Sequence, residues 1–199
     1  MPISSKYEFK FIHIPKTGGT SIEHVLGLRN EKSLFVSGIR TINIDGVMFS
    51  PQHLPHSEII KRRPESKDWF SFSIVRNPYT RLLSEYIWDY KERNGKILES
   101  FNESSFNNWI DVELCKFDTD HKMTQCFLLD VPLDYIIRFE NFKKGFHKLN
   151  SKLDTNFSLK WKNKSKFNKV ELLNTLSDST KSKIYSIYKE DFKRFKYKR

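Results

Sequence analysis

The stretch that decides the fold is Phe9-Lys10-Phe11-Ile12-His13-Ile14-Pro15-Lys16-Thr17-Gly18-Gly19-Thr20-Ser21. Its first six residues form a β-type run. Pro15 and the Gly18-Gly19 pair end that run, and residues 20–28 then read as a helix with Ile22, Val25 and Leu26 on one face. A strand, a glycine pair and a helix in this order make a phosphate-binding turn. The glycines let the backbone turn tightly and present bare N–H groups, the helix start adds donors, and Lys16, Thr20 and Ser21 add side-chain partners. In the Walker pattern the lysine follows the glycines, whereas here it precedes them. A Walker site also relies on an acidic residue at a later strand end to assist a metal. The corresponding strand here ends in Arg76. The expectation is a site that neutralises phosphate with cationic side chains, with no metal.

Working outward, Trp69-Phe70-Ser71-Phe72-Ser73-Ile74-Val75 is a second strand that runs into Arg76-Asn77-Pro78. Asn77 is suited to cap a helix and Pro78 to open it. That helix carries Tyr79, Leu82, Leu83, Tyr86, Ile87 and Tyr90 on its buried stripe. Arg81 and Ser84 lie three apart and so are surface neighbours off the stripe made by Leu83 and Ile87. With Arg76 they suit a phosphate monoester. Arg76 and Arg81 equally suit salt bridges, with Glu85 as one partner, and Ser84 a capping role, and the spacing does not choose. Tyr135-Ile136-Ile137-Arg138-Phe139 is a third strand, followed by a helix over 142–153. The chain closes on a helix with Ile184, Ile187, Tyr188, Phe192 and Phe195 on one stripe. Residues 94–105 read as a polar loop, 106–129 as helical in part, and 30–68 give no clear pattern. Strands alternating with helices predict an α/β domain with a mainly parallel sheet. No repeat or Pro/Gly-rich linker divides the chain, so a single domain over 1–199 is expected.

The 199 residues carry 35 Lys and Arg against 24 Asp and Glu, a formal +11, with 17 Phe, 8 Tyr and 4 Trp. Abundant aromatics with only seven Gly and seven Pro exclude disordered and collagen-like classes. No apolar run approaches the roughly 20 residues of a membrane span. The N-terminal residues show no apolar signal core, and Cys115 and Cys126 fit neither a disulfide framework nor a metal-binding pair. A cytoplasmic location with reduced thiols is expected. Residues 160–199 hold 13 Lys and Arg against four acidic residues, which leaves +2 for the rest of the chain. Such an excess suits an anionic partner, whether nucleic acid, membrane surface, phosphate cofactor or acidic polymer.

The pair HIPKTGGTS and SIVRNPYTRLLSEY resembles the signature of the sulfotransferases that use 3′-phosphoadenosine 5′-phosphosulfate (PAPS), most of all the carbohydrate branch that includes heparan sulfate 2-O-sulfotransferases and their bacterial relatives (sulfotransferase family 2). The resemblance spans nearly the whole chain. YIIRFENF at 135–142 is similar to the family's RFEN-type segment. Asn163-Lys164-Ser165-Lys166 is similar to its Asn-x-Ser loop that closes over the donor, and residues 188–195 resemble its YxxDFxxF-like ending. It implies a P-loop-kinase-like three-layer α/β domain. It also implies that Lys16, Thr17, Gly18, Gly19, Thr20 and Ser21 hold the 5′-phosphosulfate, that Arg76 and Ser84 hold the 3′-phosphate, and that Asn163 and Ser165 close over the nucleotide. Animal members carry an N-terminal membrane anchor, so the expectation is a soluble enzyme of bacterial or viral type.

Sulfuryl transfer needs a base for the acceptor hydroxyl and a cation for the departing phosphate. Lys16 suits the second role. For the first, histidine titrates nearest neutrality, and a positioned base contributes roughly 10²–10⁴-fold. Of the six histidines, His13 is expected to be packed on its strand, His24 and His147 fall on helices, and His121 is expected to be exposed. His53 and His56 lie between the two phosphate motifs. The string QHLP resembles the family segment that carries the catalytic histidine, which makes His53 the base by resemblance and His56 the reserve. The His53–His56 spacing alone could suggest zinc, but no third ligand accompanies it. The expected acceptor is a hydroxyl, on a glycan. Two other readings compete. A nucleotide or small-molecule kinase would share the fold and require Mg²⁺. A non-catalytic polyanion binder would use Trp161, Phe167 and Phe195 among the C-terminal lysines as stacking platforms. No recognised nucleic-acid motif is present, so no nucleic-acid partner is expected.

Overall fold

The two Phe-rich runs become neighbouring strands in the computed structural model, which describes residues 2–28, 41–159 and 166–199. The described residues form two compact units. One comprises the residues up to Val75 together with 118–159, and the other comprises Arg76–Phe117 with 166–199.

The first unit is built on a four-stranded sheet of order β1-β2-β5-β6. Strand β1 (Ile3–Ser4) pairs antiparallel with β2 (Phe9–Ile12), while β5 (Phe70–Val75) and β6 (Tyr135–Arg138) run parallel to β2. The mainly parallel sheet expected from the α/β alternation is therefore present. Alternation in β5 explains its burial on both faces. Phe72 stacks on Phe11 at 5.0 Å and lies against Phe9 at 5.6 Å, while the small Ser73 on the other face donates its hydroxyl to the Ile12 carbonyl at 2.6 Å. Parallel strands fully covered on both faces need this satisfaction of every buried polar group. The register pairs Phe11 with Phe72 and Val75 with Arg138. All three parallel strands consequently end at the same edge of the sheet, where ligands of open α/β sheets bind.

Short helices complete this unit: α1 (Gly19–Val25), α2 (His56–Arg62), α5 (Gln125–Leu128) and α6 (Phe142–Lys152). The helix expected over 20–28 stops at Val25. Gly27 adopts φ 68°, its N–H bonds the His24 carbonyl, and the Leu28 N–H reaches the Glu23 carbonyl at 2.8 Å. This Schellman closure turns the chain while keeping Leu26 and Leu28 buried. In the region that gave no sequence pattern, β3 (Ile42–Ile44) and β4 (Val47–Phe49) form a hairpin around Asp45 and Gly46.

The second unit contains α3 (Pro78–Asn94), α4 (Glu103–Glu113), α7 (Lys169–Thr175), α8 (Asp178–Ile187) and α9 (Lys189–Arg194). Asn77 caps α3 as expected, accepting the Tyr79 N–H at 2.9 Å. Tyr79, Leu82, Leu83 and Tyr86 pack with Phe106, Ile110, Ile184 and Tyr188, and Ile87 and Tyr90 lie at the margin. The single closing helix expected from the sequence is two helices, broken at Tyr188 with φ −107° and ψ 24°. Beyond the break Phe192 meets both Tyr79 at 4.8 Å and Tyr185 at 5.2 Å.

Gly145 on α6 faces β6, and a Cβ there would lie 2.4 Å from Cγ2 of Ile137. Gly145→Ala should therefore lower stability by about 1–2 kcal/mol, the overpacking outweighing the helix-propensity gain of roughly 1 kcal/mol. Urea denaturation of the two proteins checks the sign.

Candidate active site

The site begins where β2 ends. His13, the first residue beyond the strand, is buried and stacks on Phe11 at 5.3 Å. Its Nδ1 lies 2.6 Å from Oε1 of Glu23 on α1, and both side chains are sealed from water. The rest of the ring covers Gly19, where a Cβ would meet Cδ2 and Nε2 of His13 at 2.1 Å. Only glycine fits at that position. Gly18 stands before α1 with φ 87°, a left-handed conformation that glycine adopts without a steric penalty. A Cβ there would press on the rings of Phe139 and Phe142, at 3.1 and 3.3 Å, so the turn after β6 closes one side of the loop.

Between these anchors Lys16 also adopts a left-handed conformation, φ 66°, and is half-buried. A lysine held there costs of order 1–3 kcal/mol, a strain that clusters at ligand-binding turns. The Thr17 hydroxyl donates to the Ile14 carbonyl at 2.8 Å. Its side chain therefore braces the turn, and any contact of Thr17 with an anion falls to its backbone. Thr20 is half-buried, and Ser21 is buried with its N–H on the Gly18 carbonyl at 3.0 Å.

His53 ends a short 3₁₀ turn, Pro51–His53. Ser50, just before it, is fixed by two bonds to Oδ2 of Asp120, from its N–H at 2.8 Å and its hydroxyl at 2.7 Å. The His53 ring is buried, and its Nδ1 lies 2.7 Å from the His13 carbonyl. A carbonyl only accepts, so Nδ1 carries the hydrogen and Nε2 is the basic nitrogen. The Gln52 side-chain amide nitrogen lies 3.0 Å from that Nε2. The ring meets His13 edge-on at 4.3 Å and His121 at 5.4 Å. His121, expected to be exposed, is half-buried because it packs on this imidazole.

His56, the reserve candidate, opens α2 but is turned elsewhere. Its Nδ1–H donates to the Val131 carbonyl at 3.3 Å, and its Nε2 is buried without a hydrogen-bond partner. Burial pushes its pKa below the usual 6.5, with the Val131 carbonyl opposing and Lys10 reinforcing. It is a neutral, packed histidine. Lys10 lies on β2, where its ammonium donates to the Ser66 and Lys67 carbonyls.

In the second unit, the Arg76 guanidinium folds along the first turn of α3, Nε donating to the Thr80 hydroxyl at 3.1 Å, and Thr80 in turn donates to the Asn77 carbonyl. Ser84 is one turn beyond Thr80 on the same face and half-buried. Arg81 is buried elsewhere, its guanidinium 5.9 Å from the Tyr188 ring. Asn163 and Ser165 lie outside the described residues, as does Trp161. Phe167 and Phe195, the other aromatics of the polyanion reading, pack inward: Phe167 against the apolar core of this unit, Phe195 buried at the end of α9. No helix among the described residues is long and apolar enough to cross a membrane.

Sequence reasoning missed Glu23, Gln52, Thr80 and the Phe139–Phe142 wall. Only Glu23 left a trace, three residues before Leu26 and so beside the buried stripe of α1.

The chain matches the sulfotransferase family over residues 1–198, and it belongs to that family. It is therefore a transferase of sulfuryl groups to a hydroxyl-bearing acceptor. No curated protein matches it.

Lys16→Gly relieves the left-handed backbone, and its stability should stay level or rise by up to about 1 kcal/mol, after the extra entropy of glycine in the unfolded chain. A melting curve reads this directly. His56 binds its proton more weakly folded than unfolded, so stability is full above the ordinary 6.5 and is lost as pH falls below it toward the depressed folded value. Replacing His56 by Asn should flatten that acid-side loss in urea titrations at pH 7.5 and pH 5.

Proposed function

We propose that the protein transfers a sulfuryl group from PAPS to a carbohydrate hydroxyl, with His53 as general base and Lys16 stabilising the leaving phosphate. The observation that carries this reading is the bond from His53 Nδ1–H to the His13 carbonyl. It holds a basic imidazole nitrogen in the same unit as the glycine loop, in the tautomer that can accept a proton through Nε2. Family membership supports sulfuryl transfer as the chemistry, and the loop fits an anionic donor: Gly18 and Gly19 leave bare backbone, and Lys16 is held in a strained turn beside them.

In the step, Nε2 of His53 takes the acceptor proton, in the place where the Gln52 amide now lies. A new S–O bond to the acceptor forms as the bond from sulfur to the bridging oxygen breaks, leaving a sulfate ester and 3′-phosphoadenosine 5′-phosphate. The Lys16 ammonium neutralises the charge that grows on the departing phosphate. Thr17, Gly18, Gly19, Thr20 and Ser21 are assigned to the 5′-phosphosulfate, and Arg76 and Ser84 to the 3′-phosphate. Asn163 and Ser165 are assigned to closure over the nucleotide. We take residues 1–199 as one sulfotransferase domain acting in the cytoplasm.

3′-Phosphoadenosine 5′-phosphate should raise the melting temperature without Mg²⁺, whereas ATP with Mg²⁺ should do so poorly. Lys16→Ala and Arg76→Ala should each weaken that shift, and unchanged shifts in both would remove the donor-site assignment. His53→Ala should retain the shift and lose transfer by roughly 10²–10⁴-fold. Transfer of labelled sulfate from PAPS, across a panel of glycans, small alcohols and phenols, is the deciding assay.

A further inference from the structure

The buried contact between His13 and Glu23 reaches further than packing requires. Glu23 is 2% exposed and His13 4%, and the Nδ1–Oε1 separation of 2.6 Å makes a short, oriented bond. Two apolar residues of the same volume could fill this space without desolvating a carboxylate. What a hydrogen-bonded pair adds is orientation, because the bond to Glu23 allows the imidazole a single setting about its Cβ–Cγ bond. That setting has two visible consequences. The ring edge opposite Nδ1 lies over Gly19 at the start of α1, so the strand end and the glycine loop lock together. The carbonyl of the same residue accepts the Nδ1–H of His53 at 2.7 Å, and the His53 ring stands edge-on to the His13 ring at 4.3 Å. One residue thus joins α1, the glycine loop and the histidine assigned as base.

We propose that His13 and Glu23 are a positioning pair for His53. By anchoring the His13 ring, Glu23 fixes the carbonyl that keeps the His53 proton on Nδ1 and leaves Nε2 as the basic atom. Neither residue touches the reacting atoms. The inference rests on the reading of His53 as base for its effect on rate, but its structural half is independent of it. Outer partners of a working histidine set its tautomer and ring orientation, and their removal typically costs about 10–100-fold.

The test is imidazole ¹⁵N spectroscopy on the full chain, in the unsubstituted protein and in the variants Glu23→Gln and His13→Phe. It is run beside the melting shift with 3′-phosphoadenosine 5′-phosphate and steady-state kinetics with PAPS. In the unsubstituted protein His53 should show the Nδ1–H form. In both variants that form should give way to a mixture with Nε2–H. kcat should fall about 10–100-fold while KM for PAPS and the melting shift change little. An Nε2–H signal for His53 in the unsubstituted protein overturns the proposal without any variant, which covers the case in which His13→Phe fails to fold. A His53 tautomer unchanged in Glu23→Gln overturns it as well. So does a lost Nδ1–H signal with kcat intact. Full activity in His53→Ala would instead overturn the base assignment, and the spectra of the pair tell the two failures apart.

Discussion

The contact on which the rest of the loop depends is the imidazole of His13 seated over Gly19. It is possible only because Gly19 has no Cβ, and it holds its orientation because Glu23 meets Nδ1 on the other edge. Once the ring is placed, the backbone from 14 to 18 has little freedom left. Thr17 closes the turn on Ile14, Gly18 takes the left-handed conformation that opens α1, and Lys16 is carried into a second left-handed conformation that lysine on its own disfavours. The glycines act here as space for an aromatic ring as much as flexible hinges. The turn after β6 adds the opposing wall, with Phe139 and Phe142 against Gly18.

The electrostatics of the described residues follow a consistent division. Deep charges are held by specific partners: Glu23 by His13, Lys10 by two carbonyls. Some of the described basic residues near the C-terminus make local contacts within the helical unit. Lys183 bonds Asp111 at 2.8 Å, Lys193 pairs with Glu190, and the Arg199 guanidinium lies over Tyr185. Exposed pairs of this kind are worth little stability, with a median of about 0–1 kcal/mol. Their presence does show that a run of lysines at a chain end need not mark a polyanion groove.

Particular residues show how far the sequence could be read. Phe9–Ile12 and Phe70–Val75 were legible as strands because each is a short β-type run rich in aromatic and branched aliphatic residues. Asn77 and Pro78 were legible because a cap and a first helical residue are local chemistry. Ile3–Ser4 was not, since two residues carry no period, and β1 exists only through its pairing with β2. The break at Tyr188 was also hidden. The apolar stripe runs through it without interruption, and the break goes with Phe192 meeting both Tyr79 and Tyr185.

For the site, the sequence by itself determined which residue types could meet an anion, because the order of strand, lysine, paired glycines and helix is a matter of neighbours along the chain. It also placed His53 and His56 as rivals and could not separate them by position. Tertiary structure gave the two rings different surroundings. His53 was turned onto the His13 carbonyl with its basic nitrogen set by that bond, and His56 was buried against Val131, where desolvation keeps it neutral. The reason is physical: a histidine's protonation and tautomer depend on what surrounds each ring nitrogen. Those surroundings are supplied by residues 40 and 75 positions away along the chain.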